Sequence, residues 1–398
     1  MIEYLPVERA LGATRAFNCL ECGKCTANCP VARFNGGLSP RRMLSRALSG
    51  SIEALLSDDS MWSCLACGMC EPRCPADVNF TELLKTVRAQ ALPARLSWPV
   101  CTHDETPHTW MRSMTSPILE QRRLEWLPDD VQVAEEGDVL LFVGCAPYYD
   151  AYFKSLDVHT VDAAIASIRL LNKVGIVPAV LKDERCCGHD LLWMGDDVNY
   201  RKLAELNAEA IRASGAKTII SACAECFRTL KLDYPATLGT DEWKVQHISE
   251  FIAEKVEAGE LAGGNGQDAG SGSANGKPVV TYQDPCRLGR HAGVYEAPRQ
   301  VVEELDLDLV EMERNGEGAL CCGVSAWINC DLTSKKIQAA RLTNAKETGA
   351  DLLLTSCPKC LIHFKCALQD EVLAERANIE IRDLSVVAAE TMVEVHDE

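Results

Sequence analysis

Apolar and polar positions follow two different regimes along this chain. Residues 40–60, PRRMLSRALSGSIEALLSDDS, repeat their apolar positions at helical spacing, and Ser39 ahead of Pro40 is a helix-capping signal. From about residue 138 the pattern changes to short aliphatic runs separated by longer amphipathic segments. LLFV, VPAVL and TII are the strand-like runs of a first stretch, and PVVTY, DLVEM and DLLLT those of a second. Between them lie helical patterns: VDAAIASIRLLNKVG and YRKLAELNAEAIRASGA, then YEAPRQVVEEL and KKIQAARLTNAKETGA. Most of these close on glycine, as helices commonly do. Each stretch therefore predicts a βαβαβ unit with a parallel sheet and right-handed crossovers.

The expected fold is α+β overall, with an N-terminal helical module over residues 1–92 and two α/β domains in pseudo-symmetric repeat at 138–257 and 278–398. Residues 93–137, with five prolines and three tryptophans, read as a connecting segment that wraps the module onto the first repeat. Residues 258–277, rich in Gly, Ser and Asn, read as a flexible linker.

The chain has 398 residues, 47% apolar and 25% charged, enough for two or three ordinary globular domains. Its net charge of −18 excludes a nucleic-acid or anionic-lipid surface as the main partner. No apolar run approaches the roughly 20 residues that span a bilayer. The start, MIEYLPVERALG, lacks the basic-then-apolar pattern of a signal peptide. The expectation is a cytoplasmic protein whose membrane attachment, if any, comes through a partner subunit.

Cysteine changes the picture, at 21 residues. In a chain with no export signal the spacings are those of metal sites rather than disulfides. Cys19, Cys22, Cys25 and Cys29 before Pro30 spell C-x-x-C-x-x-C-x-x-x-C-P, and Cys64, Cys67, Cys70 and Cys74 before Pro75 spell it again. This is the run of two-cluster ferredoxins, in which the fourth cysteine reaches across to the other cluster. Cys19, Cys22, Cys25 and Cys74 are then the ligands of one cubane [4Fe–4S] cluster, and Cys64, Cys67, Cys70 and Cys29 those of a second. A pair of zinc knuckles is the competing reading, but zinc favours two separated pairs over a run of four. The helical stretch between the runs resembles the ferredoxin module of fumarate reductases more than a small free ferredoxin.

The two α/β stretches carry matched cysteines. Cys145, Cys186–Cys187–Gly188 and Cys223/Cys226 recur as Cys286, Cys321–Cys322–Gly323 and Cys357/Cys360. The step from Cys-Cys to C-x-x-C is 36 residues in the first and 35 in the second. Each group follows a strand-like run, where open α/β sheets place their ligands. The remaining Cys101, Cys330 and Cys366 have no partner pattern and read as buried apolar thiols.

These residues, with DPCRLGRHAGVYEAPR and AECFRTLKLDYP, resemble the cysteine-rich CCG domain family. The whole chain looks like a heterodisulfide reductase catalytic subunit fused to its small ferredoxin subunit. The resemblance implies a noncubane [4Fe–4S] cluster on Cys145, Cys186, Cys187, Cys223 and Cys226. It implies another on Cys286, Cys321, Cys322, Cys357 and Cys360. It further implies that the two face each other and cleave a disulfide between them, one sulfur each, with Cys187 and Cys322 central to catalysis. Zinc in one copy is the competing occupant, since thiolate tetrads also suit zinc.

His189, directly after the first CCG, and His291 are candidate proton donors to a departing thiolate, or hydrogen-bond partners of cluster sulfide. Trp193 and Trp327 read as packing walls. Arg287 and Arg290 either meet carboxylates on a substrate or balance an anionic cluster. The chain has no dinucleotide G-x-G-x-x-G fingerprint, so hydride chemistry falls to a partner. The expected partners are flavin- or iron–sulfur-containing donor subunits and a membrane cytochrome subunit, with a small disulfide as acceptor. The alternative is a non-catalytic electron relay inside a larger bifurcating or low-potential reductase complex. A purely structural scaffold fits the density of redox motifs least well.

Overall fold

The aliphatic runs form strands largely where the pattern puts them. The computed structural model describes residues 7–35, 37–263 and 277–395. From residue 139 on, its strands are β1 (Val139–Leu141), β2 (Thr218–Ser221), β3 (Lys244–His247), β4 (Leu261–Gly263), β5 (Val279–Gln283), β6 (Asp308–Leu309), β7 (Leu352–Thr355), β8 (Glu380–Asp383) and β9 (Met392–Glu394). The chain divides into two compact units. One holds the described residues up to Pro117 together with Gly188–Ala204 and Leu320–Gln338; the other holds Ile118–Cys187, Glu205–Ala319 and the chain from Ala339 onward.

The second unit contains both parallel sheets. The first has the order β1-β2-β3, with Val139 opposite Thr218 and Thr218 opposite Lys244. The second has the order β6-β5-β7-β8, with Thr281 opposite Leu353 and Leu353 opposite Ile381. VPAVL, expected as a strand, contributes only parallel bridges from Ala179 to Leu140 and Ala134. Pro178 removes a donor that a full ladder would use.

β3 and β8 escape the hydrophobic pattern because both are edge strands with alternating exposure. Each ends in a cap. The Nδ1 atom of His247 accepts from the Ser249 N–H at 3.2 Å, and the Asp383 carboxylate from the Ser385 N–H at 2.9 Å. These caps start the helices Ile248–Glu257 and Leu384–Thr391.

The two sheets share one core. Helix Val161–Lys173 packs on Leu384–Thr391, and Ile248–Glu257 on Glu296–Glu304. Leu141, Ile168, Ile220 and Ile252 of the first repeat join Tyr282, Val301, Leu354 and Val387 of the second in a single buried cluster. Each such side chain contributes about 1.5–3 kcal/mol on burial. Lys173 Nζ donates to the carbonyls of Ala389 and Met392, fastening the first helix pair. β4 pairs antiparallel with β9, so residues 261–263, expected within the linker, are ordered strand. Residues 264–276 of that linker lie outside the described residues.

The first unit is helical over its N-terminal part. Helices Val7–Ala13, Lys24–Asn28, Pro30–Asn35, Pro40–Leu48, Ile52–Leu56 and Phe80–Ala94 surround the two cysteine runs. Ser39 Oγ accepts from the Arg42 N–H at 3.3 Å, the expected cap. The connecting segment is not wholly irregular: Thr106–Ser113 is a helix, and the unit boundary falls within the segment, between Pro117 and Ile118. Trp193 and Trp327, both fully buried in this unit, are packing walls.

Candidate iron–sulfur centres

Each ferredoxin run turns tightly enough to present several sulfurs to one side. In the first unit, Gly23 has φ of +76° and Gly68 +73°, conformations that glycine adopts without strain. Cys19, Cys22, Cys25 and Cys74 line one cavity, with Leu20, Lys24, Arg41 and Pro75 among its other walls. Burial pushes the Cys25 thiol up, and its neighbours Cys19 and Cys74 add to the shift. Cys70 also lines that cavity, but its nearest charged neighbours belong with the other sulfurs. Burial pushes the Cys29 thiol up to about 12, with Cys64 and Cys67 close enough to add repulsion. Cys70 is raised by burial, by Glu71, and by Cys64, Cys67 and Cys29. Cys74 thus sits with the first three cysteines of the first run, and Cys29 with those of the second.

Arg88 braces this second group. It is completely buried, and its guanidinium donates to the carbonyls of Met61, Trp62, Cys64 and Trp193 at 2.7–3.3 Å. Its Cζ also lies 5.4 Å from the Trp62 ring centroid.

In the second unit the first CCG set converges completely. The Cys145 thiol hydrogen-bonds with Cys186, and Cys186 with Cys187. Cys226 Sγ lies 3.5 Å from Cys187 Sγ, and Cys226 in turn meets Cys223. The contact with Cys186 raises the Cys145 and Cys187 thiols, contacts with Cys187 and Cys223 raise Cys226, and burial raises all three, while at Cys187 the Cys226 contact works the other way. Cys223 is lowered instead, because Cys226 and Cys357 both hydrogen-bond to it.

The backbone around these sulfurs is clamped. The buried Glu184 carboxylate accepts from the Val143 and Gly144 N–H groups at 3.0 and 2.7 Å and pairs with buried Arg123, which also donates to the Gly144 carbonyl. Asn207 donates to the Cys186 carbonyl at 3.0 Å, and the Tyr234 hydroxyl to that of Cys187 at 3.2 Å. Gly144 has φ of +68°, and a Cβ built on it would stand 2.6 Å from Cys226 Sγ.

Of the second set, Cys286, Cys357 and Cys360 belong to the second unit, and Cys321 and Cys322 to the first. The hydrogen bond with Cys223 and burial push the Cys357 thiol up to about 12. The backbone clamp differs from that of the first copy. Asp284 accepts from Arg299 at 2.8 and 3.0 Å and from the Gly316 N–H at 2.8 Å. Arg290 donates to the carbonyls of Glu317 and Ala319, so it supports the chain leading into Cys321. Buried Arg287 lies 2.7 Å from His291 Nε2.

Between the copies, within the second unit, Lys359 Nζ and the Glu225 carboxylate pair at 2.9 Å. In the first unit, buried His189 donates from Nδ1 to Asp190 at 3.0 Å, and its ring lies 6.2 Å from Trp193.

Three expectations for lone cysteines are corrected. Cys330 is exposed, and Cys101 and Cys366 are only partly buried. Sequence reasoning also passed over Arg88, Arg123, Glu184, Glu225 and Lys359. Glu225 and Lys359 stand inside C-x-x-C motifs, where a charged residue in a buried loop is itself a signal.

These donor sets suit iron–sulfur clusters. Crowded, buried sulfurs are the donor set that a soft metal centre takes as thiolates. The space beside Gly144, which a side chain would fill, keeps the sulfurs of Cys226 and its neighbours accessible to such a centre.

Residues 139–231 and 280–365 match the cysteine-rich domain family, and residues 15–78 the 4Fe-4S dicluster domain family. The fold and these centres define an iron–sulfur electron-transfer subunit of oxidoreductase type. Two of the similar proteins span more than nine-tenths of the chain. It is 31% identical over 408 residues to a dihydromethanophenazine:CoB–CoM heterodisulfide reductase subunit of Methanosarcina barkeri, covering 94% of this chain and 93% of that one. It is 28% identical to a fumarate reductase (CoM/CoB) subunit of Methanothermobacter marburgensis, covering 92% and 71%. It is 31% identical over 248 residues to an EtfAB:quinone oxidoreductase of Syntrophomonas wolfei, covering 59% and 31%. The chain belongs to the same family as the heterodisulfide reductase subunit. Two of these relatives are named as subunits of reductases. Among the described residues no helix is long and apolar enough to cross a membrane.

Proposed function

We propose that the chain takes electrons into two cubane clusters in the ferredoxin module and delivers them to two noncubane clusters in pseudo-symmetric CCG domains, where a disulfide is reduced to two thiols. The cubane ligands are Cys19, Cys22, Cys25 and Cys74, and Cys64, Cys67, Cys70 and Cys29. The noncubane ligands are Cys145, Cys186, Cys187, Cys223 and Cys226, and Cys286, Cys321, Cys322, Cys357 and Cys360. When bound, the noncubane clusters supply the two electrons and the iron that stabilises each thiolate as the S–S bond breaks. The stoichiometry is one disulfide, two electrons and two protons to two thiols.

The observation that carries this reading is the meeting of the two C-x-x-C loops. Cys223 hydrogen-bonds with Cys357, and Glu225 pairs with Lys359, which supports one shared centre over two independent ones. His189, held by Asp190, is the proposed proton donor, and Arg287 and His291 are candidate contacts to an anionic substrate. The donors are a flavin- or iron–sulfur-containing subunit and a membrane cytochrome subunit, the attachment that would bring this chain to a membrane.

Matched substitutions test the shared centre. Cys187→Ala and Cys322→Ala should each abolish reduction of a small disulfide while the ferredoxin clusters stay reducible. If either variant retains most of its activity, a shared centre is wrong. The second reading, a relay that only stores and passes electrons, draws on the likeness to the EtfAB:quinone oxidoreductase. It predicts no disulfide turnover in the wild-type chain, yet blocked electron flow to a partner in both variants. Iron and zinc analysis of anaerobically purified protein decides the occupants. About sixteen irons, from four clusters of four, supports the assignment; about eight irons with stoichiometric zinc opposes it.

A further inference from the structure

The two cysteine groups of the ferredoxin module differ in access. Cys29, Cys64, Cys67 and Cys70 are all buried, whereas Cys22 is exposed and Cys19, Cys25 and Cys74 are partly exposed. Beside the accessible group stand two large apolar side chains in water, Phe17 at 65% exposure and Leu20 at 68%. Isolated exposed apolar residues are ordinary, but a pair flanking a cysteine of a redox centre is a contact surface.

The charge around it runs against the rest of the chain. Residues 7–50 carry seven Arg and Lys against two Glu, in a chain of net charge −18. Lys24, Arg41 and Glu21 line the same cavity as Cys19, Cys22, Cys25 and Cys74, so basic side chains outnumber acidic ones there two to one. Lys24 is exposed, and among the described residues the ion pair of the Arg41 guanidinium is a long, exposed one of 3.8 Å with Glu21. Such a pair is worth little, so the Arg41 charge remains available to a partner.

Resting on the assignment of a cluster to these four cysteines, we propose that this face docks an acidic protein that carries one electron at a time. The reduced carrier loses one electron, and the cluster at Cys19, Cys22, Cys25 and Cys74 gains it. Leu20 and Phe17 supply the apolar centre, and Lys24 and Arg41 the basic rim. An acidic carrier is repelled by most of this chain and attracted here, so charge both speeds and orients the encounter. With so small an apolar centre, the complex is dissociable rather than permanent.

The test uses the full chain, purified anaerobically, with a reduced bacterial two-cluster ferredoxin of strongly negative net charge as probe. The second-order rate of electron transfer from this carrier should fall as salt rises. K24E/R41E should slow it about tenfold or more at low salt and converge on the wild type near 1 M salt, where screening is nearly complete. L20S should slow transfer at every salt concentration. Iron content is measured in every variant, and each transfer rate is normalised to that variant's own photochemical reduction without a protein donor. Should charge reversal lower iron content, the milder K24Q/R41Q pair carries the same comparison. A wild-type rate insensitive to salt, or variants that match it at low salt, would overturn the docking face. A shift in cluster potential with the salt dependence intact would assign Lys24 and Arg41 to charge balance instead, and also overturns it. Wild-type protein lacking iron at this site would fail the cluster assignment itself, a result distinct from any of these.

Discussion

Lys359 and Glu225 each occupy the third position of a C-x-x-C motif, one in each cysteine-rich repeat, and they pair at 2.9 Å with side chains only 2% and 12% exposed. Removing one partner of a buried ion pair is strongly destabilising, at a cost of about 3–5 kcal/mol. Lys359→Met should therefore destabilise the protein by about 3 kcal/mol. The double variant Lys359→Met/Glu225→Leu should recover most of that loss. Denaturant unfolding of both variants provides the check. A single substitution that is neutral would mean the pair does not tie the loops together.

Arg88 gives a second prediction, confined to the ferredoxin module. Arg88→Leu removes the guanidinium from which the carbonyls of Met61, Trp62, Cys64 and Trp193 accept, although the Met61 carbonyl also accepts from the Cys64 N–H at 3.2 Å. Each buried polar group left without a donor costs about 1–3 kcal/mol. Because the Cys64 carbonyl is among them, the group of Cys64, Cys67, Cys70 and Cys29 should lose its paramagnetic signal first. Arg88→Lys should keep part of it, since one ammonium cannot reach all four carbonyls. Equal loss of both ferredoxin signals would point to global unfolding instead.

The neighbours of Cys29 are Cys64 and Cys67, and those of Cys25 are Cys19 and Cys74. Cys29→Ser should consequently disturb the cluster at Cys64, Cys67 and Cys70 and leave that at Cys19, Cys22 and Cys25 nearly unchanged. Electron paramagnetic resonance of the reduced protein separates the two. The opposite outcome would mean that each run closes on its own cluster.

What the sequence made legible was chemistry and repetition. Two ferredoxin runs and two matched five-cysteine sets are local spacings, readable without tertiary structure. Edge strands were not legible, because KVQH and EIRD alternate polar and apolar residues too briefly to stand out, although HIS and DLS at their ends share a capping pattern. VPAVL misled in the other direction: its hydrophobicity is real, but Pro178 limits it to bridges. The charges that brace the centres were hidden for a different reason. Arg123 and Glu184 stand 61 residues apart, and Arg88 serves a loop 24–27 residues upstream. No local pattern joins such residues; only the fold does.

Two glycines of the second unit share a backbone conformation and differ in surroundings, which separates strain from crowding. Gly144 has φ of +68° and Gly175 φ of +72°. Alanine in that left-handed region costs about 1–2 kcal/mol at either place. At Gly175 nothing lies within 4 Å of the new methyl group, so Gly175→Ala should show that strain alone, with normal iron content. At Gly144 the methyl group would stand 2.6 Å from Cys226 Sγ, closer than atoms in contact allow. The peptide cannot retreat easily, because Glu184 holds the Val143 and Gly144 N–H groups and Arg123 holds the Gly144 carbonyl. The Cys226 sulfur must therefore move, and a displaced ligand no longer closes the five-cysteine set of the first repeat. Gly144→Ala should lose about four irons per chain, one cluster's worth, with the ferredoxin signals intact. If Gly144→Ala keeps its full iron content while Gly175→Ala shows the expected strain, the sulfurs around Gly144 do not hold a cluster.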